Sequence, residues 1–349
     1  MGSQITKRSF LTTMAGASAL SLPSLFGATG AAAADVVRFA QPSDGFLYLP
    51  IYIARAKGFF EQEGINADVV VFKGGAAALS AVISNGSDVY IGVPAIGMNA
   101  IAQGQPVKMF ASVMTEYASN IVIRGDVAKK LGLTDKSPVE QRLAALKGLT
   151  IGITGPGAAP DLLLRHIAKT MKWNPDRDFE MTPLGSGPNM LAAFSQKRID
   201  GYCLSSPTST TGVVKYDGYQ LLNLSAGEYA PLKGFLYISL IAKDPWLAAN
   251  PDRSARIVRA LWRGQKLLRE NPAAAKEAVR GFFKGTEPAI FDAAWDENLP
   301  AFPGAPQIAA DAIKANLDFI AEMEGKKLAL DPMQTFTNAY ADAAAKGLS

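Results

Sequence analysis

The chain has 349 residues, of which 48% are hydrophobic and 19% are charged, and its formal net charge is +4. The basic residues form no block, so the charge pattern argues against a nucleic-acid partner. The single cysteine, Cys203, excludes an internal disulfide, and we expect it to be buried as a small hydrophobic residue. The length allows two domains.

The first 34 residues have the layout of an export signal. Lys7 and Arg8 form a basic start, residues 10–25 are mainly small and apolar, and three alanines close the segment. Polar residues and Pro23 interrupt the apolar run, which favours a removed signal over a membrane anchor, because a spanning helix needs about 20 strongly apolar residues. TKRSFL resembles a twin-arginine signal with Lys7 in place of the first arginine, which leaves twin-arginine and Sec export open. We predict a periplasmic protein from which residues 1–34 are removed.

After this leader, strands and helices alternate along the chain. VVRFAQ predicts a strand that ends at Gln41, and apolar residues at helical spacing from Leu49 predict a helix that Gly58 terminates. INADVVVF predicts a buried strand, and LSAVISNGSDVYIGVP predicts a helix, a turn and a strand. AIGMNAIAQ predicts a further helix and PVKMFASVM a further strand. This alternation is typical of a parallel sheet with crossover helices.

The alternation restarts in the middle of the chain. NIVIRGD, GLTIGIT and GYCLSSP predict strands, and APDLLLRHIAKTMKW predicts a helix. GFLYISLIAKD predicts a strand that returns to the first lobe, and the remainder is mainly helical, with Asn250 and Asn271 each capping a helix that begins with proline. We therefore predict an α/β chain of two lobes joined by two crossing strands. Lobe 1 comprises residues 35–122 plus 229–349, including a helical C-terminal tail, and lobe 2 comprises residues 123–228.

Two stretches about a hundred residues apart repeat one plan. LSAVISNGSDVYIGVP begins at Leu79 and LAAFSQKRIDGYCLSSP at Leu191, and each contains a helix, a turn with one aspartate and a strand that ends at proline. We interpret Asp88 and Asp200 as turn residues that bond to their own backbone rather than as paired catalytic carboxylates. Because open parallel sheets bind ligands at their strand ends, two such lobes predict a cleft lined by loops from both.

Glycine-rich loops precede helices in both lobes, at residues 74–76, 157–159 and 186–189. The first N–H groups of a helix have no partner within it and favour an anion. Either the glycines only make tight turns or the loops hold a ligand, and three such loops at strand-to-helix junctions favour the ligand. Five aromatic residues near the expected cleft either stack on a flat ligand or pack in the core: Phe46, Tyr48, Tyr117, Tyr229 and Phe235.

The sequence predicts neither a metal site nor a cofactor. His166 is the only histidine and Cys203 the only cysteine, so no ligand set has metal-binding spacing, and His166 is expected to be solvated or packed. Gly155 and Gly157 are followed by Pro160 where a dinucleotide fingerprint has its third glycine, so that match is weak. No Ser-His-Asp or Cys-His pairing stands out.

Four stretches of the chain carry a resemblance to a known family. They are YLPIYIARAKGFFEQEGINADVVVFKGG (48–75), ALSAVISNGSDVYIGVP (78–94), LKGLTIGITGPGAAPDLLLRHIA (146–168) and MLAAFSQKRIDGYCLSSP (190–207). On these residues the chain resembles periplasmic solute-binding proteins of the sulfonate, nitrate and taurine uptake systems, a group that includes thiamine-pyrimidine binders. The resemblance implies a type II binding-protein fold, a small-molecule ligand, delivery to an ABC permease in the inner membrane with its cytoplasmic ATPase, and a monomer.

The resemblance and the aromatic residues together locate a ligand site. In lobe 1 the candidates are Gln41, Ser43, Phe46, Tyr48, Gly75, Ala76, Pro94, Ala95 and Met114. In lobe 2 they are Gly157, Ala158, Ser186, Gly187, Asn189, Ser205 and Ser206. Charged residues are sparse near these loop ends, so we expect backbone amides, hydroxyls and helix ends to recognise a small organic anion such as a sulfonate or an aromatic carboxylate.

The same fold also hosts enzymes that make the thiamine pyrimidine from a pyridoxal cofactor and their own histidine, with a cysteine-rich iron-binding run. The resemblance therefore keeps a synthase of this type as an alternative. Cys203 and His166 stand alone here, and an exported chain meets little cofactor. Both points favour a binding protein, which serves either transport or ligand sensing.

Overall fold

The computed structural model describes residues 34–325 and 327–348. This part of the chain contains ten β-strands. The predicted signal peptide lies outside this part, apart from its last residue. In chain order the strands are β1 (Asp35–Gln41), β2 (Ile65–Val71), β3 (Val89–Gly92), β4 (Val107–Met114), β5 (Asn120–Arg124), β6 (Thr150–Ile153), β7 (Glu180–Pro183), β8 (Gly201–Leu204), β9 (Gly218–Leu222) and β10 (Ile238–Lys243).

The strands form two five-stranded sheets with the same plan. The first has the order β2-β1-β3-β10-β4 and the second the order β7-β6-β8-β5-β9. β1 pairs in parallel with β2 and β3, and β6 pairs in parallel with β7 and β8. In each sheet the fourth strand, β10 or β5, runs antiparallel to both neighbours. The prediction of parallel sheets is therefore wrong for these two strands, and both sheets are mixed.

Each reversed strand follows a segment that crosses between the sheets. Residues 115–119 lead from β4 to β5, and residues 223–237 lead from β9 to β10. The two crossings lie side by side, because the ring centroids of Tyr117 and Tyr237 are 4.7 Å apart and the Ser119 hydroxyl is 3.2 Å from the Tyr237 hydroxyl. The predicted arrangement of two lobes joined by two crossings is confirmed.

Fifteen α-helices cover the sheets in the described residues. They are α1 (Leu49–Ala56), α2 (Phe59–Gln62), α3 (Gly75–Ile83), α4 (Pro94–Ala102), α5 (Gly125–Lys130), α6 (Val139–Ala144), α7 (Ala159–Thr170), α8 (Gly187–Ser195), α9 (Thr208–Lys215), α10 (Asp244–Ala249), α11 (Pro251–Glu270), α12 (Pro272–Val279), α13 (Pro288–Asn298), α14 (Ala310–Glu324) and α15 (Ala339–Ala345). None of these helices combines the length and the apolar character that crossing a membrane requires.

The internal repeat is reproduced in the backbone. α3 and α8 each end in a turn with one residue of positive φ, Asn85 at 64° and Lys197 at 58°. The backbone N–H of Arg38 donates to the Asp88 carboxylate at 2.8 Å, and the N–H of Thr150 donates to the Asp200 carboxylate at 3.0 Å. These donors belong to β1 and β6, so each aspartate joins its turn to the neighbouring strand, and the expected bond to its own turn is wrong.

The helical tail packs onto the first lobe through α11. The predicted apolar stripe of this helix is buried at Ile257, Leu261 and Leu268. Gly264 lies in the same stripe, and a Cβ atom there would be 2.4 Å from the Pro50 carbonyl oxygen of α1. Only glycine therefore allows the two helices to approach so closely. At the next helix start Asn271 accepts from the N–H of Ala274, as predicted.

Asn250, by contrast, makes no cap bond at the start of α11. Its side-chain amide donates instead to the carbonyl of Trp246. The capping prediction is therefore wrong at this asparagine.

Candidate ligand-binding site

A cavity of about 220 Å³ lies between the start of α4 on the first lobe and the start of α7 on the second. Residues from both crossings and from α14 complete its wall. The lining residues are Val93, Pro94, Ala95, Ile96, Asn99, Tyr117, Gly157, Ala158, Ala159, Leu162, Phe235, Tyr237, Asn316, Phe319, Ile320 and Met323. Both lobes, both crossings and the tail thus meet at one cavity.

Aromatic rings form a large part of this wall. The Phe319 ring centroid is 5.4 Å from that of Phe235 and 5.9 Å from that of Tyr117. The Tyr117 hydroxyl donates to the Ala159 carbonyl at 2.7 Å, which joins the first crossing to the start of α7. Rings that are held in this way present fixed faces, and such faces suit a flat or apolar ligand body.

Two helix N-termini face the cavity from opposite lobes. Neither α4 nor α7 has a side chain that caps its first turn from the N-cap position. At α7, however, the Asp161 carboxylate accepts from the N–H of Gly157 at 2.8 Å and pairs with Arg165 at 3.0 Å. An anionic group is therefore favoured more at the start of α4, because α7 already has a carboxylate at its first turn.

None of the described residues that line the cavity has a charged side chain. An ionic cluster joins α14 to α7, where a Glu322 carboxylate oxygen lies 3.2 Å from Nδ1 of His166 and the other lies 3.5 Å from Nζ of Lys169. His166 is packed against Tyr229 and Phe319, with ring centroids at 5.7 and 5.3 Å. Burial lowers the pKa of His166, and the Glu322 carboxylate opposes this effect. His166 is thus packed, one of the two predicted outcomes.

Four sequence-predicted site residues come together at the cavity: Pro94, Ala95, Gly157 and Ala158. Tyr117 and Phe235, which were expected to stack on a ligand or to pack in the core, line it as well. Tyr229 does not line it, because its hydroxyl donates to Thr170 and its ring packs on His166.

The candidates at the end of β1 bond to one another. Gln41 is fully buried, and its side-chain amide donates to the Tyr52 hydroxyl at 2.7 Å and to the Ser43 carbonyl at 2.6 Å. The hydroxyls of Ser43 and Tyr48 are 3.4 Å apart. This group supports the loop after β1 and does not line the cavity.

Three further candidates lie in the core of the first lobe. Phe46 is fully buried against Phe283 and Phe291, with ring centroids at 4.4 and 5.6 Å. Met114 is also fully buried, and only 1% of Tyr48 is exposed. Their side chains contribute to packing in this arrangement of the lobes.

The remaining glycine-loop candidates lie at the starts of α3 and α8. At Gly75 a Cβ atom would be 2.3 Å from the Ile96 side chain, so the start of α3 packs directly on the start of α4. Ala76 is exposed next to it. Ser186 caps α8 by accepting from the N–H of Asn189, and a Cβ at Gly187 would lie 2.5 Å from the Thr208 hydroxyl. The start of α3 thus lies against a lining residue, whereas the start of α8 packs on the start of α9.

Ser206 hydrogen-bonds to a buried carboxylate, Glu297, that the sequence analysis did not identify. The Ser206 hydroxyl donates to Glu297 of α13 at 3.1 Å, and Thr210 donates to the same oxygen. The amides of Asn120 and Gln220 donate to the other oxygen at 2.7 and 2.9 Å. Burial raises the pKa of Glu297 against the lowering effect of these four donors. Ser205 precedes this group, and its carbonyl accepts from Thr208 and Ser209.

The cavity residues of α14 were also missed. Asn316, Phe319, Ile320 and Met323 are spaced i, i+3, i+4 and i+7, which is the stripe of any helix that packs on a core. This spacing shows that one face is buried but not that it faces a cavity. Within the described residues no group of histidine, cysteine or carboxylate side chains could hold a metal ion.

A family comparison identifies the group to which the chain belongs. The model of the NMT1-like family matches residues 46–281, more than half of the chain, and this range includes both crossings. The chain belongs to the NMT1-like family. The match ends before α13 and α14, so the cavity residues of the tail lie outside it.

Two curated relatives of this NMT1-like chain are named as binding proteins. YtlA of Bacillus subtilis (strain 168) is 24% identical over 261 residues, which are 73% of this chain and 73% of YtlA. The nitrate/nitrite binding protein NrtA of Nostoc sp. (strain PCC 7120) is 26% identical over 255 residues, which are 68% of this chain and 56% of NrtA. The chain therefore spans little more than half the length of NrtA.

A solved structure supports the fold. The alkanesulfonate-binding protein SsuA from Xanthomonas axonopodis pv. citri, bound to MOPS, is 19% identical with a TM-score of 0.64, and the match covers 86% of this chain and 98% of SsuA. At this identity the likeness shows the fold alone, which is the type II periplasmic-binding-protein fold. The predicted fold class and the resemblance to solute-binding proteins are confirmed.

Proposed function

We propose that this chain is the substrate-binding protein of an ABC importer. It captures a small organic anion between its lobes and delivers it to a permease in the inner membrane, which a cytoplasmic ATPase drives. The observation that carries the proposal is the cavity that the starts of α4 and α7 line from opposite lobes. A ligand that contacts both lobes stabilises their closed arrangement.

The ligand combines an apolar body with a small anionic head in this proposal. The body contacts the aromatic wall, and the head accepts from the N–H groups of Ala95 and Ile96, because Pro94 at the first position of α4 has no N–H. Nearly every lining residue is apolar or aromatic, and none of those described is charged, so a bare inorganic ion would leave most of the wall without a partner. An aromatic carboxylate or a sulfonate with an apolar substituent fits both parts.

The proposal also covers location, assembly and lobe boundaries. The mature chain acts as a monomer in the periplasm after residues 1–34 are removed. Lobe 1 comprises residues 35–122 plus 229–349, and lobe 2 comprises residues 123–228. Sheet membership supports a division into two lobes, because β1 to β4 and β10 share one sheet and β5 to β9 share the other. The first proposed boundary, after residue 122, falls within β5, which begins at Asn120.

Binding is proposed rather than a synthase activity. His166 is packed between Tyr229 and Phe319, and Cys203 is fully buried with its pKa raised by burial. Neither residue lines the cavity. The relatives named above support the same choice.

A thermal-shift screen of the mature chain tests the function. The panel contains aromatic carboxylates, alkanesulfonates, nitrate and pyrimidines. A ligand at 100 times its dissociation constant adds about 2.7 kcal/mol to the free energy of unfolding, which raises the melting temperature by several degrees. A chain that no compound in the panel stabilises at millimolar concentration contradicts the proposal.

A cavity-blocking variant tests the site. In Ala158→Phe a ring occupies the space between α4 and α7, and we expect affinity for the best compound of the screen to fall at least roughly tenfold because the ligand body loses its place. Ala248→Phe, at an exposed position of α10, is the matched control and should bind as the wild type does. Equal affinities of the two variants in titration calorimetry would show that the ligand binds elsewhere.

A further inference from the structure

The volume of the cavity limits the size of the ligand that it can hold. An engineered apolar cavity of about 150 Å³ binds benzene, which corresponds to roughly 25 Å³ for each non-hydrogen atom. On the same scale the cavity of about 220 Å³ holds about nine such atoms. That number matches one aromatic ring with a carboxylate group and is too small for two fused rings with the same group.

Phe319 of α14 forms a fixed part of the wall. Its ring contacts Tyr117 of the first crossing, Phe235 of the second crossing and His166 of α7. The exposed fraction of Phe319 is only 6%. Because three rings hold it, Phe319 offers a face for stacking that cannot move aside without breaking those contacts.

Met323 of α14 forms the adjustable part of the wall. It lies one turn beyond Phe319 on the same helix face, and it is half-buried at the cavity. Methionine has three rotatable bonds and fills irregular gaps, so it adapts to small differences in ligand shape. Loss of its side chain beyond Cβ frees three non-hydrogen atoms of space.

α14 is held in place at both ends of this face. The Asn316 amide donates to the Leu236 carbonyl of the second crossing at 3.2 Å. At the other end Glu322 pairs with His166 and Lys169 of α7. The wall that α14 supplies is therefore fixed to the second crossing and to α7 on the second lobe.

We propose that the ligand has a single aromatic ring and that α14 imposes this limit through Phe319 and Met323. The inference rests on the proposed function and narrows it to monocyclic aromatic acids. Since α14 lies beyond the range that matches the family model, ring-size selection belongs to a part of the chain outside that match.

Titration calorimetry with three probes tests this inference: benzoate, naphthoate and hexanoate. The wild-type mature chain should bind benzoate at least roughly tenfold more tightly than either other probe, because naphthoate exceeds the cavity and hexanoate cannot stack. Met323→Ala should reduce the preference for benzoate over naphthoate at least tenfold. Met333→Ala, at a residue that is 62% exposed, is the matched control and should keep the wild-type preference.

Phe319→Leu tests the aromatic preference independently, and it can be used if circular dichroism shows that Met323→Ala does not fold. The affinity of Phe319→Leu for benzoate should be at least roughly tenfold lower than that of the wild type, and its affinity for hexanoate should change less. Only the aromatic probe loses a stacking partner. A wild type that prefers naphthoate or hexanoate overturns the inference, as does an unchanged ring-size preference in folded Met323→Ala or equal losses for both probes in Phe319→Leu. Binding of aliphatic sulfonates alone overturns the inference but leaves the proposed function standing, whereas failure of every compound to bind overturns both.

Discussion

Glu297 shows how one residue joins the tail to the second lobe. Its carboxylate accepts from Asn120, Ser206, Thr210 and Gln220, and no cation is among these partners. Asn120 also accepts from the N–H groups of Leu224 and Ser225 in the second crossing. The carboxylate thus lies beside the start of β5 and close to both crossings. It therefore ties the helical tail to β5, β9 and the loop before α9.

Replacement of Glu297 by alanine should destabilise the protein, because the amides of Asn120 and Gln220 lose their acceptor. We expect a loss of about 2–3 kcal/mol in the free energy of unfolding, measured by urea denaturation. Glu297→Gln is the matched control: its carbonyl can accept from both amides, and the two hydroxyls can turn to accept from its NH₂ group. It should stay within about 1 kcal/mol of the wild type.

The stability of the wild type and that of Glu297→Gln should depend differently on pH. The pKa of Glu297 is raised in the folded state, so the folded protein holds this proton to a higher pH than the unfolded chain does. The contribution of Glu297 to stability is therefore largest at low pH and is lost as the pH rises through the raised pKa. As the pH rises through this range, the free energy of unfolding of the wild type should fall relative to that of Glu297→Gln in urea denaturation. The same pH dependence in both proteins would contradict a raised pKa of Glu297.

The sequence predicts which residues lie at the candidate site better than it predicts which side chains bond to one another. Pro94, Ala95, Gly157 and Ala158 reach the cavity because helix starts at strand ends are fixed by the local pattern. Glu297 could not be recognised, since a carboxylate in a helix of the tail has the appearance of a solvated residue until its four donors are known. For the same reason the sequence did not show that Asp88 and Asp200 bond to neighbouring strands.

At the scale of elements, local alternation predicts most of the first lobe and part of the second. It fails at α9 and β9, which were not predicted, because GYQLL has no clear alternation and follows a helix of hydroxyl-rich sequence. It also gives no direction for β5 and β10, since strand direction depends on the crossings and not on side-chain pattern. β2 was predicted to be buried, but Val70 and Val71 are 40% and 47% exposed because β2 is an edge strand.

The close contact of α1 and α11 yields a prediction at this scale. In Gly264→Ala the new methyl group would meet the Pro50 carbonyl at 2.4 Å, so the helices must separate. Alanine gains about 1 kcal/mol in helix propensity, but overpacking costs about 1–3 kcal/mol, and we expect a net loss of up to about 2 kcal/mol in the free energy of unfolding. Gly281→Ala, where a Cβ meets nothing within 4 Å, is the control. A Gly264→Ala protein more stable than the wild type in urea denaturation would contradict the close packing.

At the scale of the whole molecule, the cavity exists only where the lobes, the crossings and the tail meet. The start of α7 is tied to the first crossing by the Tyr117 bond to Ala159, and its C-terminal half is tied to α14 by the pairs of Glu322 with His166 and Lys169. These contacts depend on the relative position of the lobes. No periodicity in the sequence could give that position, which is why the resemblance locates the site and the assembled fold defines its wall.

The central claim is that a ligand in this cavity holds the two lobes together. Small-angle X-ray scattering of the mature chain, with and without a saturating amount of the compound that gives the largest thermal shift, tests it most directly. We expect the radius of gyration to decrease on binding in the wild type, and to decrease in Ala158→Phe only at a ligand concentration at least roughly tenfold higher. A wild-type radius of gyration that is the same with and without the bound compound would contradict the account.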